Sequence, residues 1–227
     1  MRKLLLATAA SLGLATGAHA ANLVLNGSFE SGFSHWTLTN PSSDAPAVAI
    51  FYNLAAGYPN GAYGEAVPTN NAATNSTDAP GTRAAYFVGD FARNETLSQS
   101  IFLDPGLYQI GFSAYLPANG QANRGEALFT GSIAGVALAN FAASTQPGTT
   151  WSTFAGATTI TTAGFYAVQF TFNTNLRPSK DVVVDQVYVI RGNPPVGGGD
   201  PAAVPVPAAL GLFGVGLLGL GLLRRRG

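Results

Sequence analysis

The chain has 227 residues, a formal net charge of zero, 47% hydrophobic residues and no cysteine, which excludes a disulfide scaffold. Five of its eleven basic residues (Arg2, Lys3, Arg224, Arg225, Arg226) sit in the two ends, so six bases face eleven acids in between. A net charge of about −5 repels phosphate backbones and excludes nucleic acid as the expected partner.

In chain order, Arg2 and Lys3 precede an apolar run from Leu4 to Leu14 and small residues closing on Ala18-His19-Ala20. This is the layout of a secretory signal peptide, helical while it acts and cleaved after Ala20. The run is too short to cross about 30 Å of hydrocarbon at about 1.5 Å per residue.

Roughly 180 residues separate the two ends, the length of one domain. Helix formers are sparse there, while Gly, Thr, Asn, Phe and Val are abundant, so strands and turns are expected. Short strand patterns lie at Leu23 to Leu25, Ser34 to Thr39, Ala47 to Phe51 and Ala84 to Gly89. From Thr96 to Leu103 the alternation is strict, with Leu97, Gln99, Ile101 and Leu103 facing one way. Asp104-Pro105-Gly106 then predicts a turn into a strand over Leu107 to Leu116, the pair forming a hairpin. Further strands are expected at Ala127 to Ile133, Val136 to Phe141, Ser152 to Ala155, Ala157 to Thr161, Gly164 to Asn173 and Val182 to Ile190. Short strands parted by Gly, Pro and Asn turns make an all-β sandwich or barrel, the sandwich having two antiparallel sheets. Asn53 to Arg83 shows no period and reads either as a long binding loop or as a floppy insertion.

The β domain is expected over 21–191, followed by a Pro/Gly linker over 192–203 and an anchor over 204–227. The anchor starts at Val204-Pro205-Val206-Pro207, runs apolar from Ala208 to Leu223 and ends on Arg224, Arg225 and Arg226. Its length approaches the roughly 20 residues of a membrane-spanning helix, and the arginines would stay cytoplasmic. The domain is then exported: held by the inner membrane at least transiently, later at the cell surface or outside.

Asn22-Leu23-Val24-Leu25-Asn26-Gly27-Ser28-Phe29-Glu30, with Gly32 and Trp36, resembles the opening of jelly-roll carbohydrate-binding modules and related galactose-binding-like domains. Ser98-Gln99-Ser100-Ile101 before Pro105-Gly106-Leu107-Tyr108, and Val184-Asp185-Gln186-Val187, look like their later motifs, so the likeness covers most of 22–190. It implies a jelly-roll sandwich and a structural Ca²⁺ held by Glu30 and Asp185 from the first and last strands, with Glu30 capping a turn and Asp185 paired with a base as the plainer alternative. The tail resembles the PEP-CTERM sorting signal, with Val206 where an acid is usual; this implies an exosortase-like enzyme as partner and extracellular polysaccharide as surroundings.

Trp36 and Trp151 flank strands and are expected in the core. Tyr52, Tyr58 and Tyr63, in or beside the long loop, are the better candidates for a sugar-binding face, with Asn60, Asn70 and Asn71 to hydrogen-bond hydroxyls. Nucleophilic catalysis is disfavoured: His35 is the one imidazole left after signal removal, and no Gly-x-Ser-x-Gly or His-Glu-x-x-His is present. A glycosidase would need two facing carboxylates from Glu65, Asp90, Glu95 and Glu126. The expectation is a non-catalytic surface protein that binds carbohydrate or exopolysaccharide matrix; a structural biofilm component without a ligand is the alternative and a glycosidase a weaker one.

Overall fold

The computed structural model of the chain describes residues 21–192. Strands β1 (Thr37–Thr39), β4 (Glu95–Leu103), β9 (Gly164–Thr174), β6 (Ala127–Ile133) and β7 (Val136–Ala142) form one antiparallel sheet, in the order β1-β4-β9-β6-β7. A second is ordered β2-β3-β10-β5-β8 and built from β2 (Val48–Phe51), β3 (Arg83–Phe87), β5 (Gly106–Tyr115), β8 (Ser152–Ile160) and β10 (Val182–Arg191). The one α-helix among the described residues is α1 (Ala118–Gln121). None there is long and apolar enough to cross a membrane, and the expected signal and anchor helices lie outside the described residues.

Alternation decides which face each strand buries. Leu97, Ile101 and Leu103 of β4 and Val168, Phe170 and Phe172 of β9 point inward, opposite Tyr108, Ile110 and Phe112 of β5 and Val182, Val184 and Val189 of β10. Rings from the two sheets interlock: Phe112 meets Phe170 edge-on at 4.9 Å and Phe87 meets Phe129 at 5.6 Å. Each large side chain so buried contributes roughly 1.5–3 kcal/mol, which makes this inter-sheet core the main source of stability.

The expected hairpin across Asp104-Pro105-Gly106 is not formed. β4 pairs with β1 and β9, whereas β5 pairs with β10 and β8, so the turn carries the chain from one sheet to the other. Both strands have one apolar face that must reach the same core, and crossing over places them on opposite sides of it. Ser152 to Ile160 is one strand, not two. Leu23 to Leu25 is not a strand: the Gln99 side chain takes the place of a neighbouring peptide, receiving Leu25 N and donating to Leu25 O, both at 2.8 Å.

The first and last described segments nevertheless meet. β10 has a bulge between Asp185 and Tyr188, with Gln186 at φ 49°, and β3 pairs only with Val182 to Val184. Beyond the bulge the first segment takes over that edge, with Leu23 N donating to Val189 O at 2.8 Å and Val187 N to Gly27 O at 3.0 Å.

The two outer faces differ. That of the β4 sheet is open and carries Thr37, Thr39, Ser100, Phe102, Thr130, Phe165 and Gln169. That of the β10 sheet is covered by the long segment between β2 and β3, which is no floppy insertion. Ala62 and Val67 from it are fully buried with Tyr52, Ile50, Tyr86, Tyr115, Trp151 and Val183 in a second core. Polar ties hold it down: Trp151 Nε1 donates to Pro68 O at 2.9 Å, Thr153 Oγ1 to Ala73 O at 2.6 Å and Gln186 Nε2 to Asp78 O at 3.1 Å.

Candidate functional site

Connections from odd to even strands meet at one end of the sandwich, because every strand crosses it in the direction opposite to its predecessor. A cavity of about 440 Å³ opens there, lined by Asp44, Tyr63, Asp90, Asn119, Asn123, Arg177 and Asp181 among others. Four loops contribute, those of β1–β2, β3–β4, β5–β6 and β9–β10, and Tyr63 folds over from the long β2–β3 segment.

Each wall is held by a carboxylate or amide taking backbone groups. Glu95, buried on β4, accepts Ser42 N at 3.1 Å and Ala47 N at 2.8 Å and so fixes the loop that carries Asp44. Burial pushes the Glu95 carboxyl above its ordinary range, against the pull of those two amides. Glu65 accepts Ala118 N at 2.8 Å and Asn119 N at 2.9 Å at the start of α1. Asn119 Nδ2 donates in turn to Ala62 O at 2.9 Å and Tyr63 O at 3.3 Å, which sets Tyr63 at the rim. Asp90 Oδ1 accepts Ser179 N at 2.7 Å and Ser179 Oγ at 2.8 Å, while its Oδ2 faces Arg177 Nε at 3.3 Å. The Tyr63 ring is 54% exposed, and Tyr58 stacks on it with centroids 6.0 Å apart and planes 14° from parallel.

The acids of the cavity differ in state. Asp181 is 2% exposed; its Oδ2 takes the Tyr86 hydroxyl and its Oδ1 has no donor. Burial pushes its carboxyl up to about 7, against the pull of Tyr86 and helped by the nearby Glu65 and Asp90 charges. A Cβ on Gly120 would fall 1.1 Å from Asp181 Oδ1, so only glycine fits there. For Asp44 burial also acts upward, but the Ser42 hydroxyl at 2.6 Å and the Ala45 amide at 2.9 Å outweigh it and hold the carboxyl below its ordinary value.

The expected ligand face is divided by the structure. Tyr63 is open at the rim and Tyr58 half-buried behind it, its hydroxyl donating to Pro46 O at 2.9 Å. Tyr52 is 7% exposed with its hydroxyl on Asp185 Oδ2 at 2.6 Å, so its ring offers nothing to a ligand. Asn70 is buried, its Nδ2 3.3 Å from the same oxygen, while Asn60 and Asn71 are exposed, Asn60 supplying its carbonyl to Phe51 N at 3.0 Å. Trp36 and Trp151 are both buried. Asp44, Asn119, Asn123 and Arg177 carry no motif; what could have pointed to them is their place in odd-to-even connections.

The expected metal residues lie outside this cavity lining. Glu30 accepts Thr82 N, Thr82 Oγ1 and Arg83 N, each at 2.8 Å, and so caps the start of β3. Asp185 is fully buried and pairs with Tyr52 and Asn70 instead of a base; Lys180 donates to Gln121 O and Asn123 O. Asp185 Oδ1 has no donor, and burial pushes the carboxyl up to about 8 against the pull of Tyr52. Among the described residues no cluster of three or more His, Cys, Asp or Glu is arranged to hold a metal. Of the four carboxylates a glycosidase could draw on, Glu126 is also engaged, by Ala127 N at 3.0 Å and Ser144 N at 3.1 Å, as Glu65, Asp90 and Glu95 are above.

No protein-family model and no curated protein matches the chain. Among solved structures it is similar to the enzymatically active domain of tailspike protein 4 of bacteriophage CBA120, with a TM-score of 0.46 and 17% identity over 75% of this chain and 21% of that one. It is similar to a family 61 carbohydrate-binding module in complex with β-1,4-galactotriose, with a TM-score of 0.43 and 18% identity over 76% of this chain and 100% of the module. A family 16 carbohydrate-binding module gives a TM-score of 0.42 and 15% identity over 75% of this chain and 100% of its own.

Proposed function

We propose that the chain is an exported, non-catalytic jelly-roll domain that binds carbohydrate of an extracellular matrix in the cavity beside Tyr63. The observation that carries this reading is a half-exposed aromatic ring, backed by a second stacked ring, at the rim of a cavity walled by carboxylates and amides. An aromatic face takes the C–H face of a pyranose, and fixed carboxylate and amide groups take its hydroxyls. The four carboxylates first considered for cleavage, Glu65, Asp90, Glu95 and Glu126, are committed to loop amides and to Arg177, which supports the binding role at those positions.

A glycan array probed with the mature chain tests the reading. Signal should appear on a subset of polysaccharides and fall by about tenfold or more in Tyr63→Ala, the equivalent of roughly 1.4 kcal/mol. A silent array favours the structural biofilm component, and release of reducing ends from a bound polysaccharide favours the glycosidase.

Two further parts of the proposal rest on the sequence resemblances. A structural Ca²⁺ at Glu30 and Asp185 is supported by the unpartnered buried Asp185 Oδ1, a hard oxygen of the kind that ion takes. Glu30 would have to share oxygens already engaged by Thr82 and Arg83. Added Ca²⁺ should then raise the melting temperature and chelator reverse it; no shift would remove the metal from the proposal. The tail from Val204 to Arg226 would be read by an exosortase-like enzyme, and mass spectrometry of the protein from its host distinguishes a cleaved tail from a retained one.

A further inference from the structure

We infer that the sugar taken beside Tyr63 carries a free ammonium group, a deacetylated amino sugar and neither a neutral nor a uronic one. This rests on the carbohydrate reading above and adds the chemical class of the ligand.

Three carboxylates, Asp44, Asp90 and Asp181, line the cavity against a single guanidinium, that of Arg177. Arg177 is already spent: its Nε lies 3.3 Å from Asp90 Oδ2, and the side chain is 71% exposed. Lys180 does not line the cavity, its ammonium being held by Gln121 O at 2.8 Å and Asn123 O at 2.6 Å. Asp181 is left without a cation, and Asp44 has Arg177 only at a distance, with no ion pair. Both donors to Asp44 go to Oδ1, so Oδ2 is open to a ligand. Asp181 has the unpartnered Oδ1 in a side chain 2% exposed, and a buried oxygen without a donor is costly until something supplies one.

An ammonium has three N–H donors and no acceptor, which complements walls that are rich in acceptors. Its charge also favours the open face of Tyr63, since a cation is drawn to the negative face of an aromatic ring. Acetylation removes that charge, and a uronic carboxylate would meet the like charge of Asp44 beside the acceptor-rich wall at Asp181.

Titration calorimetry of the full mature chain with a glucosamine trimer, its fully N-acetylated counterpart and a glucose trimer tests the inference. The glucosamine trimer should bind at least about tenfold tighter than either. The preference should vanish in Asp44→Asn, shrink in 0.5 M salt, and persist in Asp104→Asn, which removes an exposed acid outside the cavity. Equal or tighter binding of the acetylated or glucose trimer overturns the inference and leaves the carbohydrate reading standing. Equal weakening by Asp104→Asn also overturns it, because the attraction would then belong to the acidic surface at large. Absence of binding to all three trimers together with a silent glycan array sinks both.

Discussion

The molecule has two buried cores with opposite chemistry. Seven phenylalanines (Phe29, Phe87, Phe112, Phe129, Phe141, Phe170, Phe172) dominate the aromatics of the core between the sheets. In the core under the long β2–β3 segment the buried aromatics are Tyr52, Tyr86, Tyr115 and Trp151, with no phenylalanine. The difference follows from what each core must join. Two sheets arrive with their backbone groups already paired in ladders, so apolar surface suffices. A long irregular segment arrives with unpaired backbone and covers buried acids, and the aromatics there bring a polar atom: Trp151 donates to the segment at Pro68 O, while Tyr52 and Tyr86 donate to the carboxylates of Asp185 and Asp181. The same layer therefore contains the buried acids, and one of them, Asp181, forms part of the cavity wall.

The largest expected effect is in the phenylalanine core. Phe170→Ala empties a site shared by Trp36, Phe112 and Phe129 and should cost about 3–5 kcal/mol by urea unfolding.

Next comes pH, to which the buried acids of the tyrosine core should respond most. Burial raises Asp181 to about 7 and Asp185 to about 8, so the folded state keeps protons that the unfolded chain, near 3.8, gives up. Their contribution is fully present below about pH 4 and is lost as pH climbs through 7 and 8. Asp44 and Glu126, whose folded values are lowered, act oppositely and lose stability only as pH falls into the acid range. Thermal melts should thus peak in mild acid and decline toward pH 9. Asp185→Asn should flatten the decline, and an unchanged slope would separate that acid from the effect.

Tyr86→Phe keeps the ring and removes the donor to Asp181, leaving that carboxylate with neither oxygen satisfied. A loss of roughly 1–3 kcal/mol is expected, larger at pH 8 than at pH 5, where the acid is neutral. Smallest is Arg177→Ala, which breaks an ion pair exposed on the arginine side and should cost under about 1 kcal/mol by the same denaturation.

Much of this division could be read from the residues. The alternation of Leu97, Gln99, Ile101 and Leu103 placed the inward face of β4, and Val182 to Ile190 read as the last strand, its burial on both faces being shown only by the structure. The tyrosines around the long loop were less legible. Tyr52, Tyr58 and Tyr63 are chemically identical in sequence, yet one is bonded to a buried acid, one is half-covered and one is open. Nothing local separates them, because what covers each ring comes from residues far along the chain, such as Asp185 for Tyr52.

The sequence by itself determined an all-β domain and most of its strand positions, since period-two patterning and turn residues are local properties of a chain. It also carried the leader-like and tail-like ends, which lie outside the described residues. Only the tertiary structure decided that β4 and β5 belong to different sheets, that the long segment closes over the β10 sheet, and that Asp44, Tyr63, Asp90 and Asp181 share a cavity. Those are matters of which distant surfaces bury each other, and burial is settled by the whole packed molecule.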